Sequence, residues 1–581
     1  MLLLTFLSAP VAAHERVVPI EVVEAWAPRP LPPANYPPVA TEIRAMPDES
    51  MISEEVPAPD LDYIPGAGSG VWIANEDPGG YDAGVYANVS NSQRGIVFTG
   101  WIPPDVQVAV GPNHIVELVN CNILVLDKSN GDTLYFADYY TFMGIPDRGT
   151  NIIFDPRVAY DINRDRWIIS ADYLNDISGN DTSQYILCYS LSGDPSAAWG
   201  GYRINAEVGD SVWLDYPMLG FNDWGIFLTG NLFSYTGYFR YGDMIILDKD
   251  SIYAGRPTLY GARYLASGGN FSQHFALTMR SCATGFDCIT NTGADNRVFI
   301  RKVYGPATSP TIGSWNTITI NAYNTPTLGR QLGGNDNIDP GDCRLQDVTY
   351  KDGRLYMTFG ERRNWGSGNS AAIRYLEIDT VWNVIRDITY GSDATDYYYG
   401  RVSPDDQCIT MVFTRSSNSE YAGVWLTTKL ISSPSFEAST QIKAGEINYY
   451  ISDGTRNRWG DYSGAYMDPS GSAVWVAGEY AYTPNGSSDY WGTWIAKVSC
   501  LSVGQKETAY EGEPSVLFPY GNVFSGIAMF RLLQESKCVV YDAQGRAIAS
   551  VEGPSNVSLP VNPGVYFLKI GAENHRFVVV K

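Results

Sequence analysis

Five aspartates could form a charged site, because each opens the first apolar strand of a repeated segment of the chain. They are Asp105, Asp155, Asp215, Asp347 and Asp461. Two arginines, Arg157 and Arg344, lie at the same strand starts. If these starts are aligned in space, the carboxylates and guanidinium groups lie in one ring.

Such a ring has three interpretations, and the residues alone leave all three open. Carboxylate oxygens could bind Ca²⁺, which takes about six to eight hard oxygen ligands. The ring could instead be a substrate site, where neighbouring carboxylates of different pKa act as acid and base. The structural alternative is that each aspartate accepts backbone N–H bonds or pairs with arginine between repeats.

Two other segments carry weaker calcium signals. The polar loop "GGNDNIDPGD" at 333–342 contains Asp336, Asp339 and Asp342, which are calcium candidates or members of a solvated loop. The segment "DINRDR" at 161–166 begins like a calcium loop, with Asp172 at the twelfth position. Arg166 replaces the required glycine, and other repeats have a hairpin turn here, so a turn is favoured. Calcium is the one cofactor that the sequence suggests.

Several other kinds of site are disfavoured. The eight cysteines form no C-x-x-C pair and there are only four histidines, so a zinc site is not predicted. No G-x-S-x-G, H-E-x-x-H, phosphate-loop or dinucleotide motif occurs. A net charge of −23 repels nucleic-acid phosphates, so nucleic acid is not an expected partner. Cys282 and Cys288 are close enough in sequence to be a candidate disulfide.

The composition favours short strands joined by tight turns. Only 18% of residues are charged, 13% are aromatic and 57 are glycine. No long stretch has helical periodicity. With 581 residues the chain is too long for one ordinary core, which favours several domains or one closed repeat.

From about residue 100 to 500 one plan recurs. An aspartate or turn leads to an apolar strand, a turn such as Asn-Arg-Asp or Lys-Asp-Gly, and a second apolar strand. Six copies begin near residues 103, 154, 214, 344, 397 and 459, and a less regular seventh occupies 275–305. Seven small sheets of this period predict an all-β fold, a seven-bladed β-propeller over 66–500 in which adjacent blades bury each other's faces.

The two ends of the chain suggest export. Residues 1–13 are apolar and end in Val11-Ala12-Ala13, typical of a signal peptide, and the run is too short to span a bilayer. No membrane-spanning segment is predicted. Residues 14–65 are rich in proline and acids and predict an extended linker, with an ordered strap along the next domain as the alternative. Residues 501–511 predict a second linker, and 512–581 a small C-terminal β-sandwich.

The C-terminal unit resembles the type IX (Por) secretion sorting domain of outer-membrane bacteria. The matching residues are "YDAQGR" at 541–546, "LP" at 559–560, "PGVYF" at 563–567 and "FVVVK" at 577–581; the usual N-P-F is Asn522-Val523-Phe524 here. This resemblance implies that the type IX secretion machinery is a partner. It also implies that the protein is secreted or held on the outer-membrane cell surface.

The central region resembles secreted bacterial β-propeller proteins of poorly defined activity. The matching marks are "PPD" at 103–105, "VGPNH" at 110–114, "DPR" at 155–157, "DYP" at 215–217, "RLQD" at 344–347 and "WGDYSG" at 459–464. The resemblance implies the fold but no reaction. We therefore expect a binding or interaction module for polysaccharide, peptide or a surface partner, rather than an enzyme. The alternatives are a hydrolase or lyase that acts on extracellular polymers through the ring, and a surface-layer component.

Overall fold

The computed structural model is almost entirely β-structure. It describes residues 15–34, 44–46, 72–74, 85–175, 182–267, 271–281, 286–291, 295–334, 336–452 and 456–502, and most of 516–580. Residues 1–503 and 504–581 form two compact units, which are treated separately below. Among the described residues no helix is both long and apolar enough to cross a membrane.

Six strands come before the first blade in the chain, and four of them add to the sheets of later blades. They are β1 (Glu15–Val18), β2 (Val22–Pro30), β3 (Arg44–Ala45), β4 (Trp72–Ala74), β5 (Val85–Val97) and β6 (Trp101–Ile102). Two single-turn helices occur in the first unit, one after the last strand of blade 1 and one between the third and fourth strands of blade 3. They are α1 (Tyr139–Met143) and α2 (Lys249–Tyr253), and each is capped by an aspartate whose side chain accepts a backbone N–H.

The first three blades are regular antiparallel sheets. Blade 1 consists of β7 (Gln107–Val110), β8 (His114–Val119), β9 (Asn122–Asp127) and β10 (Thr133–Asp138). Blade 2 consists of β11 (Asn151–Asp161), β12 (Arg166–Asn175), β13 (Thr182–Ser190) and β14 (Ala198–Asn205). Blade 3 consists of β15 (Val212–Phe221), β16 (Gly225–Ser234), β17 (Phe239–Asp248) and β18 (Gly261–Ser267).

Blade 4 is the least regular. It consists of β19 (His274–Phe275), β20 (Leu277–Thr278), β21 (Phe286–Asn291), β22 (Arg297–Tyr304), β23 (Thr311–Ile312) and β24 (Asn316–Thr319). Blade 5 consists of β25 (Leu345–Lys351), β26 (Arg354–Asn364), β27 (Asn369–Asp379) and β28 (Val384–Tyr390). Because β20 pairs in parallel with both β15 and β25, the ladders of blades 3 and 5 join beside the axis.

Blade 7 is completed by a strand from the beginning of the chain. Blade 6 consists of β29 (Thr395–Pro404), β30 (Cys408–Ser417), β31 (Glu420–Leu430) and β32 (Thr440–Lys443). Blade 7 consists of β33 (Gly464–Met467), β34 (Val474–Tyr482) and β35 (Tyr490–Ser502). Its fourth strand is β5, which pairs with β35.

The first strands of the blades enclose one central axis, which we call the hub. Each first strand contacts the next in the order β7, β11, β15, β19, β25, β29 and β33, and β33 contacts β7. Within the described residues this is a closed ring of seven sheets, so the predicted seven-bladed propeller is confirmed. Large aromatic side chains fill the spaces between blades; Trp167, Trp459, Trp475 and Trp491 are all at most 1% exposed.

The proline-rich segment predicted as a linker contributes strands in its described part. β1 pairs with β18 of blade 3, and β2 pairs with β14 of blade 2. β3 pairs with β6, and the later β4 extends blade 5 through β28. Residues 15–34 therefore follow the alternative of an ordered strap, and residues 35–43 and 47–65 lie outside the described part.

The cysteine pairing differs from the prediction. The disulfide joins Cys408 of blade 6 to Cys500 of blade 7. The predicted partner Cys288 is a buried free thiol, and Cys282 lies outside the described residues. A cross-link over 92 residues of sequence removes chain entropy from the unfolded state and fixes the last blade to its neighbour.

The C-terminal unit has two sheets. One contains β36 (Val516–Leu517), β38 (Ile527–Leu532) and β41 (Ser555–Pro560). The other contains β37 (Val523–Ser525), β39 (Lys537–Asp542), β40 (Ala547–Glu552), β42 (Gly564–Ile570) and β43 (Glu573–Val580). Its buried core includes Cys538, Val540, Leu568 and Val579, as in the predicted small β-sandwich.

Glu117 of β8 is buried against the strand that closes the ring. Its Oε2 accepts the Ile96 N–H at 3.0 Å, and a Cβ on Gly95 would lie 2.3 Å from the same oxygen, so only glycine leaves room for this carboxyl. Burial raises the pKa of Glu117 to about 7, despite hydrogen bonds from Thr493 and Ile96 that lower it.

Glu117→Gln is expected to make the protein more stable at pH 8 by about 2–3 kcal/mol. The folded state holds the proton of Glu117 more tightly than the unfolded state, so wild-type stability falls as the pH rises from about 4.5 to about 7. The difference should vanish below pH 4.5, and denaturant unfolding at several pH values measures it. Parallel pH profiles of the two proteins would contradict it, and exposed Glu24→Gln is the control, with an effect below about 0.5 kcal/mol.

Candidate functional site

Five non-glycine residues in, or just before, the first strands of the blades have a positive φ. They are Asp105 (φ 52°), Asp155 (49°), Tyr216 (55°), Ser272 (49°) and Tyr399 (52°). The strand ladders shift register at three of these points, between Phe154 and Arg157, Asp215 and Met218, and Tyr398 and Arg401. A bulge re-aims the side chains next to it, and strained backbone of this kind clusters at functional sites.

The prediction that each aspartate lies at the start of a strand is wrong for two of them. β11 and β15 begin four and three residues before Asp155 and Asp215, which therefore lie at mid-strand bulges. Asp105 and Asp461 do precede β7 and β33, and Asp347 lies in β25. The prolines of "DPR" and "DYP" mark the bulges, because proline in a strand is tolerated where the ladder is broken.

Three of the predicted aspartates lie together across blades 7, 1 and 2. The Asp461 N–H donates to Asp105 Oδ1 at 2.7 Å. Asn120 Nδ2 donates to Asp105 Oδ2 at 2.6 Å, and Asn120 Oδ1 accepts the Asp155 N–H at 2.8 Å. Tyr462 OH donates to Asp155 Oδ2 at 3.2 Å. These bonds hold the blade junctions at the place where the ring closes.

The pKa values of these three carboxyls are shifted in different directions. Burial, followed by the charges of Asp461 and Asp155, raises the pKa of Asp105 well above its usual range. Burial and the Asp461 charge also raise the pKa of Asp155, against a hydrogen bond from Asp105 that lowers it. Burial acts to raise the pKa of Asp461, but the Arg458 guanidinium overrides it and the pKa is lowered. Asp105 therefore holds its proton to a higher pH than Asp461 does.

The other predicted residues are engaged by partners of their own. Asp347 forms a buried ion pair with Arg401 of blade 6. Arg344 donates to both oxygens of Asp342 at 2.7–3.0 Å, and its guanidinium lies 4.7 Å from the ring centre of Tyr216. The ring of charges is thus divided into separate pairs rather than shared by one open pocket.

Arg157 and Asp215 lie close to one further acid, Asp172. Arg157 Nε donates to Pro217 O at 2.9 Å, and its guanidinium lies 3.6 Å from the ring centre of Tyr462. Oxygens of Asp155, Asp172 and Asp215 lie within 4.8 Å of one another, the only group of three potential metal ligands at this spacing among the described residues. Asp172 is not among the predicted site residues, because in the sequence it is only the twelfth position of a calcium-loop pattern that Arg166 breaks.

Sequence reasoning also missed Arg401, Arg458 and Tyr399. A signal existed for two of them, since "YGR" at 399–401 occupies the place in its repeat that "DPR" occupies at 155–157. His274 lies nearby, and burial, together with Arg157, Arg401 and Arg344, lowers its pKa well below the usual range, so the ring is neutral.

The loop with the three calcium candidates covers one end of the hub. Arg456 Nη1 donates to Asp339 Oδ2 at 2.8 Å, and Asp342 is held by Arg344. The Asp336 main-chain carbonyl accepts bonds from Gln331 and Asn457. With two of the three carboxylates paired to arginine, these residues suit a charged surface better than a cation site. We call the described residues of this surface, 333–334, 336–344, 448–452 and 456–458, the hub mouth.

Asp461→Ala is expected to lower the free energy of unfolding by about 2 kcal/mol, because it strips a part-buried guanidinium of its partner. Arg458 donates to both Asp461 oxygens at 2.6 and 2.7 Å, and Tyr399 OH lies 3.3 Å away. Denaturant unfolding measures the effect. Exposed Asp250→Ala is the control and should change stability by less than about 0.5 kcal/mol. Unchanged stability with lost ligand binding would instead place Asp461 in a ligand site.

No protein-family model and no curated protein matches the chain. Among solved structures, a Trypanosoma rangeli sialidase in complex with sialic acid aligns with a TM-score of 0.31 and 11% identity, covering 59% of this chain. The chain spans about half of that protein, 54% of its length. Extracellular domains 1–2 of Drosophila Semaphorin 1b align with a TM-score of 0.29 and 8% identity, covering 71% of this chain and 87% of that one.

The WD40 domain of SCAP from fission yeast aligns with a TM-score of 0.29 and 9% identity, covering 68% of this chain and 82% of that domain. Similarities at this level carry no functional inference. The propeller assignment rests on the closed ring of sheets in this chain.

Proposed function

We propose that this protein is an exported binding module, whose β-propeller recognises an extracellular polysaccharide, peptide or surface partner at the hub mouth. The proposal rests on the burial and the bonding partners of the hub aspartates. Asp105, Asp155 and Asp347 are at most 6% exposed and bonded to neighbouring blades. General acid–base catalysis on a polymer needs carboxylates that reach the substrate, and these are committed to holding the ring.

The hub mouth offers a surface suited to recognition. Arg344 and Arg456 are 15% and 25% exposed, beside Asp342 at 39%. Tyr450 of the hub mouth is 50% exposed, and Leu328, next to Gly329 that bridges to Ile338 of the loop, is 53% exposed. Aromatic faces stack on sugar and peptide groups, and paired guanidinium and carboxylate groups offer donors and acceptors around them.

Export is part of the proposal and rests on the sequence of the two ends. The apolar residues 1–13 are typical of a signal peptide, and the C-terminal unit carries the type IX sorting motifs. The two small sheets of residues 516–580 suit such a sorting unit, although Ala543–Gly545 of its turn and Pro563 lie outside the described residues. In this proposal the type IX machinery delivers the protein to the cell surface or the medium.

Glycan and peptide arrays probed with the full chain, with and without EDTA, test the proposal. Binding should fall at least roughly tenfold in Tyr450→Ala and Arg456→Gln, the loss of one well-placed contact of about 1.4 kcal/mol. The matched controls are Tyr304→Ala, 48% exposed on β22, and Arg280→Gln, 42% exposed and paired with Asp406. Equal binding by variants and controls would remove the hub mouth as the recognition surface.

The hydrolase or lyase alternative is tested in the same samples. Polymers that bind are incubated with the protein, and their length is followed by size-exclusion chromatography or mass spectrometry. Shortening of a bound polymer that is lost in a hub-acid variant would replace the binding proposal with the enzymatic one.

A further inference from the structure

We propose that Asp155, Asp172 and Asp215 form a site for a hard divalent cation, with calcium chemistry, between blades 2 and 3. Asp155 and Asp215 come from the first strands of adjacent blades, and Asp172 comes from β12, where it faces Phe154 in the ladder. One oxygen from each of the three lies within 4.8 Å of the others. This site is separate from the hub mouth and does not depend on the proposed binding function.

Asp172 is the residue that points to a ligand. Its side chain is 0% exposed, and neither of its oxygens receives a hydrogen bond from any residue that the structure describes. A buried carboxylate without donors costs several kcal/mol of desolvation unless it is neutralised. Burial raises the pKa of Asp172 well above its usual range and the Asp155 charge raises it further, against the Arg157 charge, which lowers it. The group must therefore carry a proton or face a cation.

The Arg157 guanidinium lowers the pKa of Asp155 and Asp172 through its charge, but it forms no hydrogen bond to either carboxyl among the described residues. Arg157 directs its Nε to the Pro217 carbonyl and lies over the Tyr462 ring, and its two Nη atoms donate to none of the described residues. Three ionised carboxylates and one guanidinium sum to a charge of −2. One divalent cation brings this junction to neutrality, and so do two protons on the carboxyls, which are the two alternatives that the measurement of metal content below distinguishes.

The donor set selects hard cations. All three ligands are carboxylates, with no cysteine or histidine among them, and oxygen-only sites suit Ca²⁺, Mg²⁺ or Mn²⁺. Ca²⁺–oxygen distances of about 2.3–2.6 Å allow ligand oxygens up to about 4.8 Å apart across the ion. The observed spacing falls within that sphere, and three carboxylates supply up to six oxygens. The bulges at Asp155 and Tyr216 would then be held in place by the ion that they surround.

The test measures metal content and melting of the full-length protein. Wild type prepared in CaCl₂ and desalted should contain about one equivalent of calcium by inductively coupled plasma mass spectrometry. After EGTA treatment, adding CaCl₂ to 100 times the dissociation constant should raise Tm by about 2–3 °C. MgCl₂ and MnCl₂ are tested in parallel, and preference for either of them over calcium still supports a hard divalent site.

Asp172→Asn separates a cation site from a structural role. The variant should lose the bound metal and the Tm rise, yet melt without cation at or above the wild-type Tm, because its amide removes a buried charge. Asp342→Asn, at the hub mouth, is the matched control and should keep both metal and Tm rise. If Asp172→Asn does not fold, Asp215→Asn is used for the same two measurements.

Wild type that holds no metal and shows no Tm rise with any of the three cations would overturn the proposal. The buried Asp172 carboxyl would then carry a proton in place of a cation partner. Equal metal content and equal Tm rises in wild type and Asp172→Asn would also overturn it, since the ion would bind elsewhere.

Discussion

Replacing Arg374 of blade 5 with methionine is expected to lower the free energy of unfolding by about 3–5 kcal/mol at pH 8. Arg374 is fully buried and donates to Asp387, Glu361, Thr389 and the Asn321 carbonyl. Methionine fills much of the same volume but leaves two buried carboxylates without their cation. Denaturant unfolding at pH 8 measures the loss.

The pH dependence of this variant identifies the cause. Without Arg374, the buried carboxyls should bind protons more tightly in the folded state, so the deficit should shrink as the pH falls from 8 to 5. A triple variant, Arg374→Met with Glu361→Gln and Asp387→Asn, should recover at least half of the loss at pH 8. A deficit that is constant with pH and unrecovered in the triple variant would indicate lost packing instead. Exposed Arg164→Met is the control.

Removal of residues 1–97 is expected to abolish folding to a soluble monomer. These residues include β5, which pairs with β35 over most of its length and places Ile96, 3% exposed, in the core. Without β5 the outer edge of blade 7 presents unpaired N–H and C=O groups that invite aggregation. The lost ladder and core contacts are comparable with the whole net stability of a folded protein, about 5–15 kcal/mol.

A shorter truncation is the matched control. Removal of residues 1–84 deletes β1 to β4 but keeps β5, so the ring should close and the protein should stay monomeric with a lower Tm. Size-exclusion chromatography with light scattering and circular dichroism compare the two. A monomeric, cooperatively melting 98–581 protein with the Tm of the 85–581 protein would show that β5 does not close the ring.

The architecture was predictable because turn-forming residues recur at the same place in each repeat. Six hairpin signals and a less regular seventh predict seven small sheets, and a closed ring buries both faces of each sheet. The closing strand was not predictable from the same signals. "VYANVSNSQRGIV" at 85–97 is polar and has no hairpin partner nearby, because it pairs with residues some 400 positions later.

The site was predictable only in part, for a physical reason. Asp105, Asp155 and Asp461 do lie together, since repeat alignment carries equivalent residues to the same level of the hub. The repeat pattern does not predict the ion-pair partner of each charged residue. Asp347 pairs with Arg401, and Arg344 pairs with Asp342. The β-bulges set the directions of these side chains, and the spacing of residues in the sequence does not predict those directions.

The outer strands β1 and β2 run in the reverse order of the blades they complete, blade 3 and then blade 2. Residues 15–30 can therefore dock only after blades 3 and 2 have formed, although they come first in the chain. Prolines at 19, 28 and 30 have no backbone N–H, which reduces the ability of the undocked segment to pair with a wrong strand.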